Sequence, residues 1–265
     1  MPSPSAPTAA PVHPTSGQAS VSQPTIMRQS PPPTASPPAS GVGTQAGAAT
    51  MAGALAGAAS KEVTAKARLQ RIVDAMARQE PRLAWAVGER SDGTTFLVTD
   101  LASGWIPPGI DIPAAVTLLE PARRRGEPEA MLGEVNVVAT YTPIHQLPEP
   151  DEPIQFSVRP RRAPEVDEFG WQLAEATHWR DGLPRLAHTL AKAGWRGTGV
   201  LDREIDVLHD ELAKVADEVL TAYPHHDPHT VGNWQLLAAI DSLIARNRTA
   251  ANYHLAWFIS MEQRR

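Results

Sequence analysis

The chain has 265 residues, including 26 prolines and no cysteine, and its formal net charge is −5. The lack of cysteine excludes disulfides, thiolate metal sites and a cysteine nucleophile, and the negative charge argues against nucleic-acid binding, which requires a basic surface. No stretch approaches the roughly 20 apolar residues that span a bilayer, and the N-terminus lacks the basic-then-apolar pattern of a secretory signal peptide. We therefore expect a cytoplasmic protein without membrane insertion.

The first 60 residues predict a disordered arm. They contain one charged residue, Arg28, and consist mostly of Pro, Ala, Ser, Thr, Gly and Gln. Such a segment has too little apolar surface to offset the entropy lost when a backbone is ordered. We expect an extended chain with local polyproline II character, and favour a linker over a ligand for a polyproline-binding module.

Residues 61–145 predict a small α/β domain. An apolar stripe with four-three-four spacing indicates an amphipathic helix from Lys61 to Pro81. The pair Asp92-Gly93 lies between two apolar runs, which is typical of a β-hairpin. Four strands are predicted, at 83–87, 94–99, 116–119 and 135–141, with a short helical turn at 129–133.

Residues 146–164 form a proline-rich linker, and residues 165–265 predict a helical domain. Helices are expected near 165–178, 184–193, 200–222, 230–246 and 248–263. The third shows a heptad spacing of apolar residues from Leu201 to Val219, which favours the seam of a helical bundle. The predicted fold class is therefore α+β multidomain: a disordered arm, a small α/β domain and an all-α helical bundle.

The negative charge is concentrated on the long helix near 200–222, which carries seven acids against Arg203 and Lys214. A solvated helix face is the favoured interpretation. The alternative is a docking face that attracts and orients a basic protein partner. Its candidate contact residues are Asp202, Asp206, Asp210, Glu211 and Asp217.

Two of the seven tryptophans lie in glycine- or proline-rich segments. Trp105 and Trp195 are candidates for exposed interface anchors, although burial in the core is the favoured interpretation. Trp234 and Trp257 lie at helical spacing with other apolar residues and are predicted to belong to the core.

No catalytic constellation is found, so we expect neither an enzyme nor a bound cofactor. The order of helix and strands invites comparison with zinc deaminases, which need an H-x-E pair and a P-C-x-x-C motif. The chain has no cysteine, and residues 61–144 contain no histidine. A nucleophile elbow, an H-E-x-x-H motif and a Walker P-loop are also missing.

A histidine group near the middle of the helical domain offers one alternative. His225, His226 and His229 are possible metal ligands together with Asp227. Two prolines interrupt the group, and Asp227 before Pro228 is typical of a helix N-cap followed by proline at the first helical position. We favour capping and keep metal binding as a further alternative.

Several strings together resemble a known family. They are LAWAVGERSDGTTFLVTDLASGWIPPGI, the VTLLEP that follows, and the stretch from AYPHHDPHTVGNWQLLAAIDSLIARN to the C-terminus. Over residues 61–265 the chain resembles the C-terminal region of EspK-like proteins, which are associated with type VII secretion in mycobacteria. The resemblance implies a non-enzymatic adaptor or chaperone. Its partner would be a protein, either a secreted type VII substrate or the secretion ATPase.

Two short motifs support an alternative function. Type VII substrates carry W-x-G in a helical hairpin and Y-x-x-x-D/E after the second helix, and this chain has Trp195-Arg196-Gly197 and Tyr223…Asp227. Both motifs are short, so chance matches are common. The alternative is an exported type VII effector or structural protein.

Overall fold

The computed structural model describes residues 45–143, 147 and 160–262, with side chains from residue 59 onward. By its internal contacts the chain divides after Ala46, and residues 47–265 form one compact unit. This unit contains both the sheet and the C-terminal helices. Most of the predicted arm and most of the predicted linker lie outside the described residues.

The first helix, α1, covers Gln45–Gln79. It begins earlier than the predicted Lys61 because the alanine-rich segment before Lys61 is also helical. The predicted apolar stripe faces inward, with Leu69 and Met76 fully buried. Pro81 follows the helix, as expected from its missing N–H group.

The four predicted strands are confirmed, each with ends within two residues of the expected ones. They are β1 Trp85–Glu89, β2 Thr95–Thr99, β3 Val116–Leu118 and β4 Val137–Tyr141. The sheet order is β3-β2-β1-β4, in which β1 is antiparallel to β2 and β4, whereas β3 is parallel to β2. The predicted hairpin turn is confirmed, since Gly93 has φ +80° and the Arg90 N–H donates to the Thr94 carbonyl at 3.0 Å.

The helical segment contains the five predicted helices. These five helices are α3 Phe169–Thr177, α4 Arg185–Arg196, α5 Asp202–Thr221, α6 Pro228–Ile244 and α7 Arg248–Glu262. A short helix, α2, lies earlier in the chain, at Pro128–Met131 between β3 and β4. The predicted cap is confirmed, because the Asp227 carboxylate accepts from the His229 N–H at 3.1 Å and Pro228 opens α6.

Helix α6 lies at the centre of the helical segment. It is buried on nearly every side, and its core residues include Trp234, Leu237 and Ile240. Helices α4, α5 and α7 all pack against it. A helix that is apolar on every side must be covered on every side. None of the described helices is both long enough and apolar enough to cross a membrane.

The sheet segment and the helical segment share one hydrophobic core. The Trp105 indole N–H donates to His254 Nδ1 at 3.1 Å, and the Ile106 N–H donates to Tyr253 Oη at 2.9 Å. The Trp105 ring also meets the Trp234 ring edge-on, with centroids 5.2 Å apart. The two segments are therefore joined by buried packing and by satisfied polar groups.

Tyr223, which follows α5, makes a second connection between the segments. Its hydroxyl donates to the Asp100 carboxylate and accepts from the Ala84 N–H at 3.2 Å. Burial raises the pKa of Tyr223, so the hydroxyl stays a donor. Its ring stacks on His226, with centroids 6.3 Å apart.

Replacing Tyr223 by Phe is expected to lower the free energy of unfolding by about 1–3 kcal/mol, because a part-buried carboxylate and a backbone N–H both lose their partner. Urea unfolding measures the change. The matched control is Tyr141→Phe, whose hydroxyl donates only to the Pro81 carbonyl at 3.2 Å, a neutral bond worth about 0.5–1.5 kcal/mol. Equal losses in the two variants would contradict the special role of Tyr223.

Candidate functional site

The antiparallel pair α3–α4, residues 169–196, holds three tryptophans on the protein surface. We call it the tryptophan hairpin. Trp171, Trp179 and Trp195 are 59%, 71% and 40% exposed, whereas the buried tryptophans 85, 105, 234 and 257 are at most 3% exposed. Because tryptophan is highly buried on average, three exposed indoles on one helical pair mark this surface as the candidate site.

Trp195 is held in place rather than free. Its ring lies over the Gly170 backbone, where an added Cβ would overlap the indole. The Phe169 ring lies 5.4 Å away, and the Arg248 guanidinium stacks over the indole at 4.6 Å. Trp195 is 40% exposed, so the favoured interpretation of core burial is wrong for it and the alternative of an exposed side chain is observed. An anchor fixed in this way loses little entropy on binding a partner.

Trp179 lies at the other end of the hairpin and was not singled out by the sequence. Its backbone has φ +57°, a left-handed conformation that costs a non-glycine residue about 1–2 kcal/mol. The Arg185 guanidinium lies 5.3 Å from its ring and the His178 ring lies 5.2 Å away. The loop around it lines a cavity of about 350 Å³. The turn sequence Trp179-Arg180-Asp181-Gly182 was the available signal that this tryptophan leaves the helix.

Trp105 is not an exposed anchor, so the candidate anchor role is wrong and the favoured interpretation, burial in the core, is confirmed. The residue is fully buried, because the loop that carries it folds inward against α6 and α7. There the indole N–H finds His254 as its acceptor. Core packing therefore describes Trp105 correctly, as it does Trp234 and Trp257.

Four aspartates form a stripe on α5. Asp202, Asp206, Asp210 and Asp217 are all exposed and fall within an arc of about 80° at 100° per residue. Asp217 pairs with Arg82 at 3.3 Å, and the first three take part in no ion pair of the described residues. The fifth predicted contact, Glu211, lies outside the stripe, is half-buried and pairs with Lys214 at 3.3 Å.

Comparison with known proteins identifies the family. Residues 63–143 match the Family of unknown function (DUF5632), and residues 166–261 match the Family of unknown function (DUF5631). The solved structure of a fragment of conserved hypothetical protein Rv3899c (residues 184–410) from Mycobacterium tuberculosis is 47% identical, with a TM-score of 0.74. The match covers 79% of this chain and 100% of the fragment. The chain belongs to the same family as this Rv3899c fragment and matches the DUF5632 model followed by the DUF5631 model.

A longer relative is similar to most of this chain. The uncharacterized protein Rv2082 of M. tuberculosis is 48% identical over 211 residues, which is 77% of this chain. The chain spans 29% of the length of Rv2082. The match over 63–143 covers the second half of α1 and the sheet, and the match over 166–261 covers α3–α7.

The predicted metal candidates of this DUF5632–DUF5631 chain are not brought together. His226 stacks on Tyr223, where burial lowers its pKa, His229 lies in the first turn of α6 and His225 is exposed. Within residues 59–143 and 160–262, no group of three His, Asp or Glu side chains is arranged to hold a metal ion.

The two short motifs both have structural roles in this family member. Gly197 ends α4 with φ +66°, and the following Thr198 N–H donates to the Ala193 carbonyl at 3.0 Å, as in a Schellman motif. Tyr223 and Asp227 have the bonding and capping roles given above. A function of either motif in export stays a prediction.

Proposed function

We propose that this chain is a non-enzymatic adaptor or chaperone of type VII secretion that binds a protein partner through the tryptophan hairpin. The partner is a secreted substrate or a secretion component such as the ATPase. The resemblance to EspK-like proteins supplies the secretion context. The observation that carries the binding role is Trp179, a 71% exposed indole on a left-handed backbone.

The exposure and backbone conformation of Trp179 are both unfavourable for folding. An exposed indole contributes little to the core, and the left-handed backbone costs about 1–2 kcal/mol. Residues kept in such conformations cluster at binding and switch sites. Tryptophan is also the residue type most enriched among side chains that dominate binding energies.

The size and charge of the surface fit a protein partner. Helix α3 has nine residues, so the two ends of the hairpin are about 13 Å apart along its axis. That separation lies well within an interface of about 800 Å² on each partner. The aspartate stripe lies on α5, outside the hairpin, and would add a negative field that speeds and orients the approach of a basic partner.

Site-specific photocrosslinking tests the proposal. A photoreactive residue at position 179 is expected to capture a type VII substrate or ATPase in mycobacterial cells with an intact secretion system. The matched control is position 63 on α1, where Val63 is 70% exposed. Equal capture at both positions, or captured proteins unrelated to secretion, would overturn it.

The captured partner then allows a quantitative check. Trp179→Ala is expected to weaken its binding roughly 30-fold, the loss typical of a dominant interface residue. Val63→Ala is expected to leave the affinity unchanged. Titration calorimetry with the purified pair measures both values, and equal affinities for the two variants would contradict the assigned role.

A further inference from the structure

The exposed apolar side chains of the described residues are concentrated on α3, α4 and the start of α5. Of the six large apolar side chains that are exposed there, only Val63 lies outside residues 171–207. Besides the three tryptophans of the hairpin, the others are Leu201 and Val207, which are 54% and 44% exposed. Since clustered exposed apolar side chains mark interaction surfaces, α4 and α5 are candidate contact helices.

Helix α4 also carries a row of cations, which we call the basic stripe. It consists of Arg185, Lys192 and Arg196, which are all exposed and fall within an arc of about 40° at 100° per residue. The sequence of α4 contains no acidic residue. Among the described residues, no carboxylate forms an ion pair with any of the three cations. The basic stripe is therefore complementary to an acidic surface.

The aspartate stripe on α5 has the same spacing as the basic stripe, but in reverse. The three cations are seven and then four residues apart along α4, and Asp217, Asp210 and Asp206 are seven and then four residues apart when α5 is followed backwards. At 1.5 Å per residue, both sets of intervals are about 10.5 and 6 Å. An antiparallel pairing of the two helices therefore aligns Arg185 with Asp217, Lys192 with Asp210, and Arg196 with Asp206.

The same register also aligns apolar side chains. It places Trp195 opposite Val207, both of which are exposed. Ion pairs at a protein surface contribute little by themselves, whereas a tryptophan is the residue type most often found to dominate an interface. The packing of Trp195 on Gly170 already fixes its ring, so the indole supplies an apolar contact at a small entropic cost.

The two stripes do not pair within one chain, because α4 and α5 both pack on α6 without extensive contact with each other. Gly194 of α4 lies against α6, where an added Cβ would be 3.2 Å from Leu243 Cγ. His209 of α5 pairs with Asp241 of α6 at 2.8 Å. Residues 192 and 210 therefore lie at similar levels along α6. A two-fold axis parallel to these helices keeps every residue at its level, so α4 of one copy can meet α5 of a second copy in the matching register.

We propose that two copies of this chain form a dimer in which the basic stripe of each copy pairs with the aspartate stripe of the other. The contact occurs twice about the two-fold axis, which closes the assembly. Trp179 lies in the turn before α4, outside the matched residues, and stays available to a different protein. The dimer does not depend on the adaptor function.

Sedimentation equilibrium of the full chain tests the dimer. At low salt, the average mass is expected to rise with protein concentration towards twice the monomer mass. In 1 M NaCl the Debye length is only about 3 Å, so the same protein concentration is expected to give a lower average mass. A monomer at every concentration in low salt would overturn the proposal.

Single charge reversals locate the contact. Lys192 and Asp210 suit this test because neither has an ion-pair partner among the described residues, whereas Asp217 pairs with Arg82 at 3.3 Å. Lys192→Glu is expected to weaken the dimer roughly 30-fold, because two attractive pairs become repulsive, and Asp210→Lys is expected to weaken it to a similar degree. Lys66→Glu, at an exposed position of α1, is the matched control and is expected to leave the dimer intact.

An equal mixture of Lys192→Glu and Asp210→Lys distinguishes this contact from any other. Each variant alone places like charges opposite each other, whereas the mixed dimer has opposite charges at both contacts and is expected to regain the parent affinity. Thermal unfolding followed by circular dichroism checks that both variants are folded. The proposal is overturned if either variant alone dimerises as well as the parent, if the mixture does not regain the affinity, or if Lys66→Glu also weakens the dimer.

Discussion

Trp105→Ala is expected to lower the free energy of unfolding by about 3–5 kcal/mol, the range for removing a buried aromatic side chain. The indole is fully buried against Trp234 and His254, where the two segments meet. Its loss leaves a cavity at that junction and removes the donor to His254 Nδ1. Trp105 is therefore expected to make a large contribution to the packing of the helical segment on the sheet segment.

Urea unfolding followed by far-UV circular dichroism measures the effect. Trp179→Ala is the matched control, because it deletes the same side chain from a 71% exposed position and is expected to change stability by less than about 0.5 kcal/mol. If the two variants lost similar stability, the assignment of Trp105 to the shared core and of Trp179 to the binding surface would both be wrong.

Acidification from pH 7 to pH 5 is expected to cost about 2 kcal/mol of stability through His254. Burial, with the nearby Arg161 charge, holds the pKa of His254 well below its usual range, so the ring stays neutral in the folded protein. The unfolded chain takes up a proton below its own pKa of about 6.5. Stability is therefore fully present above that pH and falls by about 1.4 kcal/mol per unit below it.

His254→Gln isolates this contribution. The glutamine carbonyl can replace Nδ1 as the acceptor for Trp105, and the variant no longer titrates. Urea unfolding at a series of pH values between about 5 and 7.5 is expected to show a slope about 1.4 kcal/mol per pH unit smaller than in the parent. The remaining slope includes His226, whose pKa is also lowered by burial. If the slope of the free energy of unfolding against pH is unaltered in His254→Gln, another group takes up the proton on unfolding.

Local patterns predicted the secondary structure well. The strands, the Asp92-Gly93 turn, the cap at Asp227 and the five C-terminal helices all follow from periodicity and from turn or capping chemistry within a few residues. Helix α5 illustrates this best, because its heptad stripe supplies the buried residues Leu208, Val215 and Val219. The start of α1 was misplaced because glycine-containing alanine-rich sequence has no periodic apolar signal.

The candidate sites depended on contacts between distant residues. Trp105 and His254 are 149 positions apart, so no local pattern reports that a Pro/Gly loop folds inward. Trp179 and Trp105 both lie in turn-forming sequence, yet one is exposed and the other buried. A cavity of about 450 Å³ is lined by the turns near residues 100 and 125 and by two helices beyond residue 227, and it forms only when these distant segments pack together.

The amino-acid pattern was enough to infer the helices and strands and their order along the chain, because these depend on neighbouring residues. The composition was enough to exclude cysteine chemistry. Three features emerged only from the folded chain: which tryptophans are exposed, that the sheet and helical segments share a core, and that a cavity lies between them. The physical reason is that burial is a property of the assembled surface. Each side chain is covered or left exposed by partners that lie far away along the chain.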